Sequence, residues 1–199
     1  MRYGCLFPAF SPAGRARRYG VKDGKAEGTS FAFPLRSNFA TFARNIPSKG
    51  MQQFSLPIQV RWSDIDQNRH LRHSVYYDYG ATVRISCFSA HGLTNLKFDE
   101  LHIGPILFRE EAVFKREIKF EDRVTVDMVV TKATRDFARW SIRHHFYKED
   151  NTLSAVVTMD GAWIDITKRK LAIPDLGVQK IFDDFPKAHD FEWVEKVIK

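Results

Sequence analysis

Four stretches of the chain alternate hydrophobic and polar residues with the period of two that is typical of half-buried β-strands, and a fifth, residues 153–166, is apolar on both faces for much of its length, which predicts a central strand. The first is short, with Ile58, Val60 and Trp62 separated by polar residues. Four longer stretches follow, and polar or charged turn residues separate each from the next. These four predicted strands cover residues 104–120, 124–135, 138–146 and 153–166. Strands joined by such short turns pair antiparallel.

One segment follows the helical period instead. From Val75 to His91 the apolar residues recur three or four positions apart, and Gly92 supplies the usual stop. Ser74 stands where an N-cap residue is expected. The apolar positions are Tyr76, Tyr79, Val83, Cys87 and Ala90. The pattern predicts one long helix between the first and second strands.

One long helix among five strands, with no helix between the later strands, excludes a doubly wound parallel sheet. We expect an α+β fold in which an antiparallel five-stranded sheet wraps around the helix, as a single domain over residues 51–199. Residues 93–102 are predicted to form a connection. The chain beyond Pro174 is predicted to be a tail that ends in a short helix over residues 191–198.

Glu110 is the one acidic residue on the apolar face of the second predicted strand, where even positions are mostly apolar and odd positions mostly charged. An unpaired charge on that face would be costly. Glu110 is therefore a candidate for an ion pair with Arg116, for a hydrogen bond to an imidazole across the sheet, or for a catalytic site. Glu111 belongs to the charged, solvated face.

The charge of the chain is divided unevenly. The formal net charge is +7, and residues 1–50 contain nine basic and two acidic residues, which leaves 22 of each for residues 51–199. Because this second part is neutral, the basicity predicts no nucleic-acid partner for it. The basic leader, which we expect to be disordered, fits either an organelle transit peptide or an upstream in-frame start before Met51.

The length of the apolar runs and the number of cysteines indicate the cellular compartment of the protein. No apolar run approaches the length of about eighteen residues that a membrane-spanning helix needs. The two cysteines, Cys5 and Cys87, are too few for a disulfide framework, which favours a reducing compartment. We therefore expect a cytoplasmic protein, or one of an organelle matrix if residues 1–50 are a transit peptide.

The segment between the first strand and the long helix concentrates polar and ionisable groups. Within ten residues it carries Asp64, Asp66, Asn68, His70 and His73. It leads into a helix N-terminus, whose unpaired N–H groups and positive dipole end can hold a carbonyl oxygen that becomes negative during a reaction. A carboxylate at such a place can act as a general base or as a nucleophile.

The run Asp-Ile-Asp-Gln-Asn-Arg-His-Leu-Arg-His-Ser-Val-Tyr, residues 64–76, resembles the Asp-x-Asp-x-Asn-x-His-(Val/Leu)-x-x-x-x-Tyr signature of hotdog-fold acyl thioesterases. It is similar to plant acyl-carrier-protein thioesterases and to bacterial acyl-CoA thioesterases of the 4-hydroxybenzoyl-CoA thioesterase type. The resemblance extends by element order to about residue 170. It implies a hotdog fold, a homodimer or homotetramer with the site at a subunit interface, and hydrolysis of acyl-CoA or acyl-carrier-protein thioesters without metal or cofactor.

The resemblance and the residue types together predict roles for the signature residues. Asp66 is the predicted base or nucleophile, although an aspartate at this place can also cap its own turn. Asn68 and His70 are expected to orient Asp66 or the attacking water. His73 is expected to contribute its backbone N–H as an oxyanion donor, and Tyr76 to contact the substrate.

Other positions mark where the chain departs from the resembling families. Asp64 alternates with Asp66 and is expected to point toward structure or solvent. The plant enzymes commonly carry a second asparagine pair where this chain has Arg72-His73. They also place an additional glutamate on the second strand, at the position of Phe114. Glu110 lies four residues away on the same predicted face, so it is the candidate to act on Asp66 across a subunit interface.

Two other functions stay open from the sequence. One is a hotdog hydratase or dehydratase, which also uses an Asp/His pair, and the other is an acyl-thioester-binding protein without activity. A regulator of that second kind would carry an added DNA-binding domain, and no helix-turn-helix pattern is visible. No metal site is expected, because Asp66 and His70 lie in a predicted loop without further residues at ligand spacing.

Overall fold

The computed structural model describes residues 53–195, so the predicted leader and residues 196–198 of the predicted terminal helix lie outside the described residues. The elements are, in chain order, β1 (Phe54–Ile58), α1 (Val75–Ala90), α2 (Asn95–Leu101), β2 (Ile103–Phe114), β3 (Val124–Ala133), β4 (Arg139–Lys148), β5 (Leu153–Asp165), β6 (Lys170–Ala172), α3 (Leu176–Asp183) and β7 (Lys187–Trp193). The long helix and the four longer predicted strands are present, and the first strand lies earlier than predicted, so that it includes Ile58 but not Val60 or Trp62.

The strands form one sheet in which β1, β3, β4, β5 and β2 lie side by side in that order, each antiparallel to its neighbour. Two short strands complete it. β6 pairs with β5 beyond the end of β4, and β7 lies parallel to β3 beyond the end of β1. The described part of the sheet therefore has seven strands, and the expected number of five was wrong. Strands as short as β6 carry too little alternation to be recognised from a pattern.

The sheet wraps around α1, which contacts β1, β2, β3 and β5. Val83, Cys87 and Phe88 of this helix are fully buried. A helix enclosed on several sides needs apolar residues on more than one face, which explains its broad apolar pattern. Near its C-terminus, the ring of Phe88 stacks on Phe185 at a centroid distance of 5.4 Å. This aromatic packing fixes α1, and with it the position of the helix N-terminus at the other end.

The strand β2 differs from its prediction in length and in phase. It ends at Phe114 rather than near residue 120, and a bulge follows Leu107. Leu107 and Glu110 pair with residues two apart on β5, so both lie on the same face although one position is odd and the other even. From Glu110 to Phe114 the even positions therefore share one face, as predicted. Before the bulge it is the odd positions that lie on that face.

Other predicted segments also have a different structure. Residues 93–102, predicted as a connection, contain α2, whose N-cap Thr94 accepts a hydrogen bond from the N–H of Lys97. The predicted tail contains the helix α3. The prediction of a terminal helix over residues 191–198 was wrong, because the strand β7 occupies residues 191–193. Pairing with β3 decides this short segment, since tertiary contacts outweigh local preference. The first strand ends at Ile58, and Trp62–Asp64 forms a 3-10 turn.

Candidate active site

The polar segment after the 3-10 turn folds into a closed loop. Ile65 and Leu71 form an isolated antiparallel bridge, and the N–H of Asp66 donates to the carbonyl of His70 at 2.9 Å. The N–H of Leu71 in turn donates to the carbonyl of Ile118 at 2.7 Å. The loop is therefore tied to the segment that follows β2, which brings residues far apart in the sequence to one place.

The carboxylate of Asp66 is held by its own loop. Its Oδ1 accepts hydrogen bonds from the backbone N–H groups of Asn68, at 2.8 Å, and of His70, at 3.1 Å. The turn-capping role that the sequence left open is thus present. Neither bond uses Oδ2, so the same contacts that orient the carboxylate leave its second oxygen for other partners.

Asp64 has a different environment, although it stands two residues earlier. Its carboxylate is buried and accepts hydrogen bonds from the hydroxyl of Tyr79, at 2.6 Å, and from the backbone N–H of Arg61, at 3.1 Å. Burial alone would raise the pKa of Asp64, but these two hydrogen bonds hold that pKa below its usual value. Asp64 anchors the loop to α1, which confirms the expectation that it points toward structure.

An open cavity of about 460 Å³ lies between the loop, the start of α1 and the end of β2. It brings together four of the six predicted site residues: Asp66, His70, His73 and Tyr76. The rest of its lining consists of Leu71, Phe114, Lys115, Arg116 and Glu117. The four residues after Val113 were not predicted as site residues, since their place in the cavity depends on the hydrogen bond between Leu71 and Ile118.

The start of α1 has unpaired backbone donors. Within residues 53–195, the N–H groups of His73 and Ser74 donate to no other group. They are the orphan donors expected at a helix start, and His73 lines the cavity. Ser74 is the N-cap residue, as predicted, but it has helical backbone angles and its side chain makes no cap hydrogen bond.

Tyr76 forms an aromatic wall of the cavity. Its buried ring lies edge-on to Phe114, with centroids 4.9 Å apart, and packs against Phe146 at 5.2 Å. Burial, together with the negative charges of Asp122 and Asp66, raises the pKa of Tyr76 to about 12. The phenol is therefore neutral at pH 7 and lies within electrostatic reach of Asp66.

The two remaining predicted residues lie elsewhere. Asn68 lines a neighbouring cleft rather than the cavity. Glu110 is not among the residues that line either space, and its Oε1 lies 3.6 Å from Nη1 of Arg84 on α1. The predicted ion pair with Arg116 was wrong, because β2 ends before Arg116, which is exposed and donates to the carbonyl of Lys115.

Arg84 is the polar residue that the sequence reading missed. Its side chain is buried, and besides Glu110 its guanidinium contacts the sulfur of Met159 on β5. The available signal was that Arg84 is the one arginine or lysine in the predicted helix over residues 75–91. Burial of a cation requires a partner, and Glu110 was the one unexplained acid on the facing strand.

In residues 53–195, no three His, Cys, Asp or Glu side chains are grouped so as to hold a metal ion. Over the same residues, every helix is too short or too polar to cross a membrane.

Comparison with solved structures finds many chains of the same fold. A hypothetical protein from Staphylococcus aureus, solved in complex with CoA, matches with a TM-score of 0.63 and 18% identity over 72% of this chain and 89% of that chain. A 1,4-dihydroxy-2-naphthoyl-CoA thioesterase from Synechocystis gives 0.60 and 19% over 66% and 96%. A gentisyl-coenzyme A thioesterase gives 0.56 and 17% over 63% and 98%. The likeness confirms the expected hotdog fold.

Sequence comparison gives a second result. No curated protein matches the chain significantly. The model of the thioesterase-like superfamily, however, matches residues 60–182, which include the Asp66 loop, α1 and the cavity lining. This match covers more than half of the 199 residues. The chain therefore belongs to the thioesterase-like superfamily.

Proposed function

We propose that the protein hydrolyses acyl-CoA thioesters to a free acid and a thiol. The observation that carries the proposal is the cavity in which an oriented carboxylate, Asp66, and the open N–H groups at the start of α1 lie together. Membership of the thioesterase-like superfamily supports this class of reaction. Among the structural relatives, those from Synechocystis and the gentisyl-coenzyme A enzyme are named as CoA thioesterases.

In the proposed mechanism, the thioester carbonyl oxygen accepts hydrogen bonds from the N–H groups near His73. Asp66 removes a proton from a water molecule through Oδ2, and the resulting hydroxide adds to the carbonyl carbon. The helix N-terminus stabilises the negative oxygen of the tetrahedral intermediate. The carbon–sulfur bond then breaks, the acid forms, and the thiolate takes up the proton from Asp66.

The same geometry also allows Asp66 to act as the nucleophile. Its Oδ2 would attack the carbonyl carbon, expel the thiolate and form a mixed anhydride, which water then hydrolyses. The two routes use the same oxygen and the same oxyanion donors. They differ in the fate of solvent oxygen, because attack of ¹⁸O-water at the aspartyl carbonyl would label Asp66, whereas the general-base route labels only the acid product.

Three further residues have supporting roles in the proposal. His70 lines the cavity beside Asp66 and fixes its carboxylate through the backbone N–H. Asn68 does the same through its own backbone N–H, so its contribution to orientation does not need its side-chain amide. Tyr76 supplies an apolar ring that packs with Phe114 and is suited to contact the acyl group.

We also propose that the protein acts as a homodimer or a homotetramer. β2 is a twelve-residue strand at the edge of the sheet, and an open edge of this length is a surface for pairing with another strand. Large apolar side chains stay exposed along it: Leu107, Phe108, Val113 and Phe114. A second copy that covers this edge would enclose the open cavity next to Phe114. It would also place a second Glu110 near the interface, where that residue can act on the site.

A substrate panel tests the proposed activity. The purified full chain is assayed with one acyl group attached to CoA and to acyl carrier protein, across aliphatic and aromatic acyl groups. We expect hydrolysis of CoA thioesters without added metal, in the presence of EDTA. Hydration of an enoyl-CoA with no release of thiol would indicate the hydratase alternative. Binding of the thioesters without any turnover would reject the enzymatic proposal.

A further inference from the structure

A second cleft of about 530 Å³ lies on the other side of the Asp66 loop. Asp66 and His70 line both this cleft and the catalytic cavity, so the two spaces meet at the loop. Trp62 and Phe120 also line the second cleft, and the acyl group that we place in the cavity does not account for them.

Trp62 is unusually exposed for a tryptophan. The structure leaves 77% of it accessible, and its ring meets that of Phe120 edge-on with centroids 5.8 Å apart. Trp62 follows directly from β1 through the 3-10 turn and does not belong to the core. A large exposed aromatic surface next to a site is typical of a binding face rather than of packing.

Basic side chains accompany this aromatic pair. Arg69 and Lys119 line the same cleft, with Glu121 as a further acidic residue of its lining. Within residues 53–195, Arg69 takes part in no ion pair, and its left-handed φ of 64° is set by the turn that it completes. Lys119 lies 3.7 Å from Glu117 in an exposed pair, which is weak in solvent. The cleft thus combines an aromatic platform with cations that are available to an anion.

We propose that this cleft binds the nucleotide half of the CoA thioester, with the adenine stacked on Trp62 and the phosphates facing Arg69 and Lys119. Aromatic faces bind bases by stacking, and arginine and lysine are the residues that bind phosphate. This inference rests on the proposed function. It assigns the substrate a CoA rather than a carrier protein, since a carrier protein has no adenine.

The distance between Trp62 and Asp66 is short enough for one CoA thioester to reach both residues. Trp62 and Asp66 are four residues apart, so their Cα atoms are at most about 14 Å apart. The pantetheine arm of CoA, which links the thioester sulfur to the pyrophosphate, is long enough to join a thioester at Asp66 to a nucleotide at Trp62. The shared lining at Asp66 and His70 gives this arm a continuous path.

Binding of free CoA tests the subsite without relying on catalysis. Calorimetry on the full chain compares wild type with Trp62→Ala, Trp62→Phe and Lys119→Gln, using CoA, 3′-dephospho-CoA and pantetheine as probes. The control is Leu96→Ala, which removes an equally exposed apolar side chain on α2, outside the cleft. Tryptophan fluorescence provides a second readout, because adenine stacking should quench the exposed Trp62.

We expect Trp62→Ala to weaken CoA binding by about tenfold or more, the effect of losing one base stack, while Trp62→Phe keeps most of the affinity. The kcat/KM ratio of acyl-CoA to acyl-pantetheine should fall by the same factor. Equal CoA affinity in Trp62→Ala and Leu96→Ala would overturn the proposal, and so would a changed oligomeric state in Trp62→Ala, which would make Trp62 an interface residue. If CoA binds through Trp62 but no thioester is hydrolysed, the subsite stands and the proposed function fails.

Discussion

At the scale of single residues, Asp64 and Asp66 stand two positions apart and make different contacts. Asp64 is buried against Tyr79, whereas Asp66 has one oxygen bonded to its loop and lines the cavity. We expect Asp66→Ala to lower kcat by on the order of 10²-fold or more, the scale of a lost general base, while the fold stays intact and the loss of two loop hydrogen bonds lowers the unfolding midpoint only modestly.

Asp64→Asn is the matched control for that prediction. It removes a charged acceptor from the hydrogen bond with Tyr79, so it should cost stability of about 1–3 kcal/mol while most of the turnover per folded molecule remains. Steady-state kinetics and denaturant unfolding on both variants separate the two roles. Full activity in Asp66→Ala would remove Asp66 from the mechanism.

His144 makes the stability of the protein depend on pH. Its ring is fully buried, and its Nδ1 donates to the carbonyl of Asp127 at 2.7 Å. Burial lowers the pKa of His144 to about 4. Because an unfolded histidine titrates near 6.5, the unfolded chain binds more protons between these two pKa values, and the free energy of unfolding falls as the pH drops from about 6.5 to about 4.

The measurement for this prediction is unfolding by urea at several pH values. Wild type should lose stability over that window, and a histidine NMR titration should show one imidazole that stays neutral down to about pH 4. His144→Gln should flatten the pH dependence over the window, even if it lowers stability throughout. An unchanged slope in His144→Gln would show that another group is responsible.

At the scale of elements, the ion pair of Arg84 and Glu110 joins α1 to the edge strand β2. The two side chains are 8% and 25% exposed. Glu110→Gln leaves a buried guanidinium without its charged partner, so we expect a loss of about 1–3 kcal/mol in stability. Glu111→Gln, one residue along and exposed, is the control and should cost less. Both variants are measured for unfolding midpoint and kcat.

The outcome of that experiment also decides the place of Glu110 in the proposal. Lost stability with unchanged turnover would make Glu110 a structural link between α1 and β2. A fall in kcat with level or increased stability would place it in the site, since removal of a strained functional group often stabilises a protein. Because Glu110 is paired with Arg84 within one chain, we expect the first result, a loss of stability with unchanged turnover.

The sequence predicts elements well where one period dominates. The helix α1 and the strands β3 to β5 were expected close to their observed bounds, because a helical repeat, an alternation or, for β5, a long apolar run is sustained along most of each element. The loop at Asp66 was found by its signature. The bulge after Leu107 and the cavity residues after Val113 were not found, since both depend on pairing with β5 and on the bond from Leu71 to Ile118. Long-range contacts of this kind leave no local period.

At the scale of the whole molecule, the open cavity beside Asp66 reaches the end of the edge strand β2. Phe114 lines it and is itself half exposed. Apolar surface of this extent on a sheet edge is unfavourable in water unless another chain covers it. The proposed second copy would therefore complete the binding site as well as the sheet, so activity and assembly should be lost together.

Phe108 gives a direct test of this coupling. It lies at the bulge of β2 with 54% of its surface exposed, and its ring is 5.7 Å from the guanidinium of Arg139. In Phe108→Glu the new carboxylate can still face Arg139, so the single chain should stay folded. In a two-fold assembly, however, the charge appears twice at the interface and replaces apolar contact, so we expect the dimer dissociation constant to rise by about tenfold or more.

Leu171→Glu is the control for that prediction, because Leu171 is 51% exposed on β6 and stands away from the β2 edge. Sedimentation velocity over a range of protein concentrations gives the oligomeric state, and kcat/KM is measured at the same concentrations. Phe108→Glu should lose activity on dilution earlier than wild type and Leu171→Glu. A wild-type chain that is monomeric and active, or a monomeric Phe108→Glu with full activity, would show that one chain holds the complete site. The open cavity at Phe114 would then be the substrate entrance of a monomer.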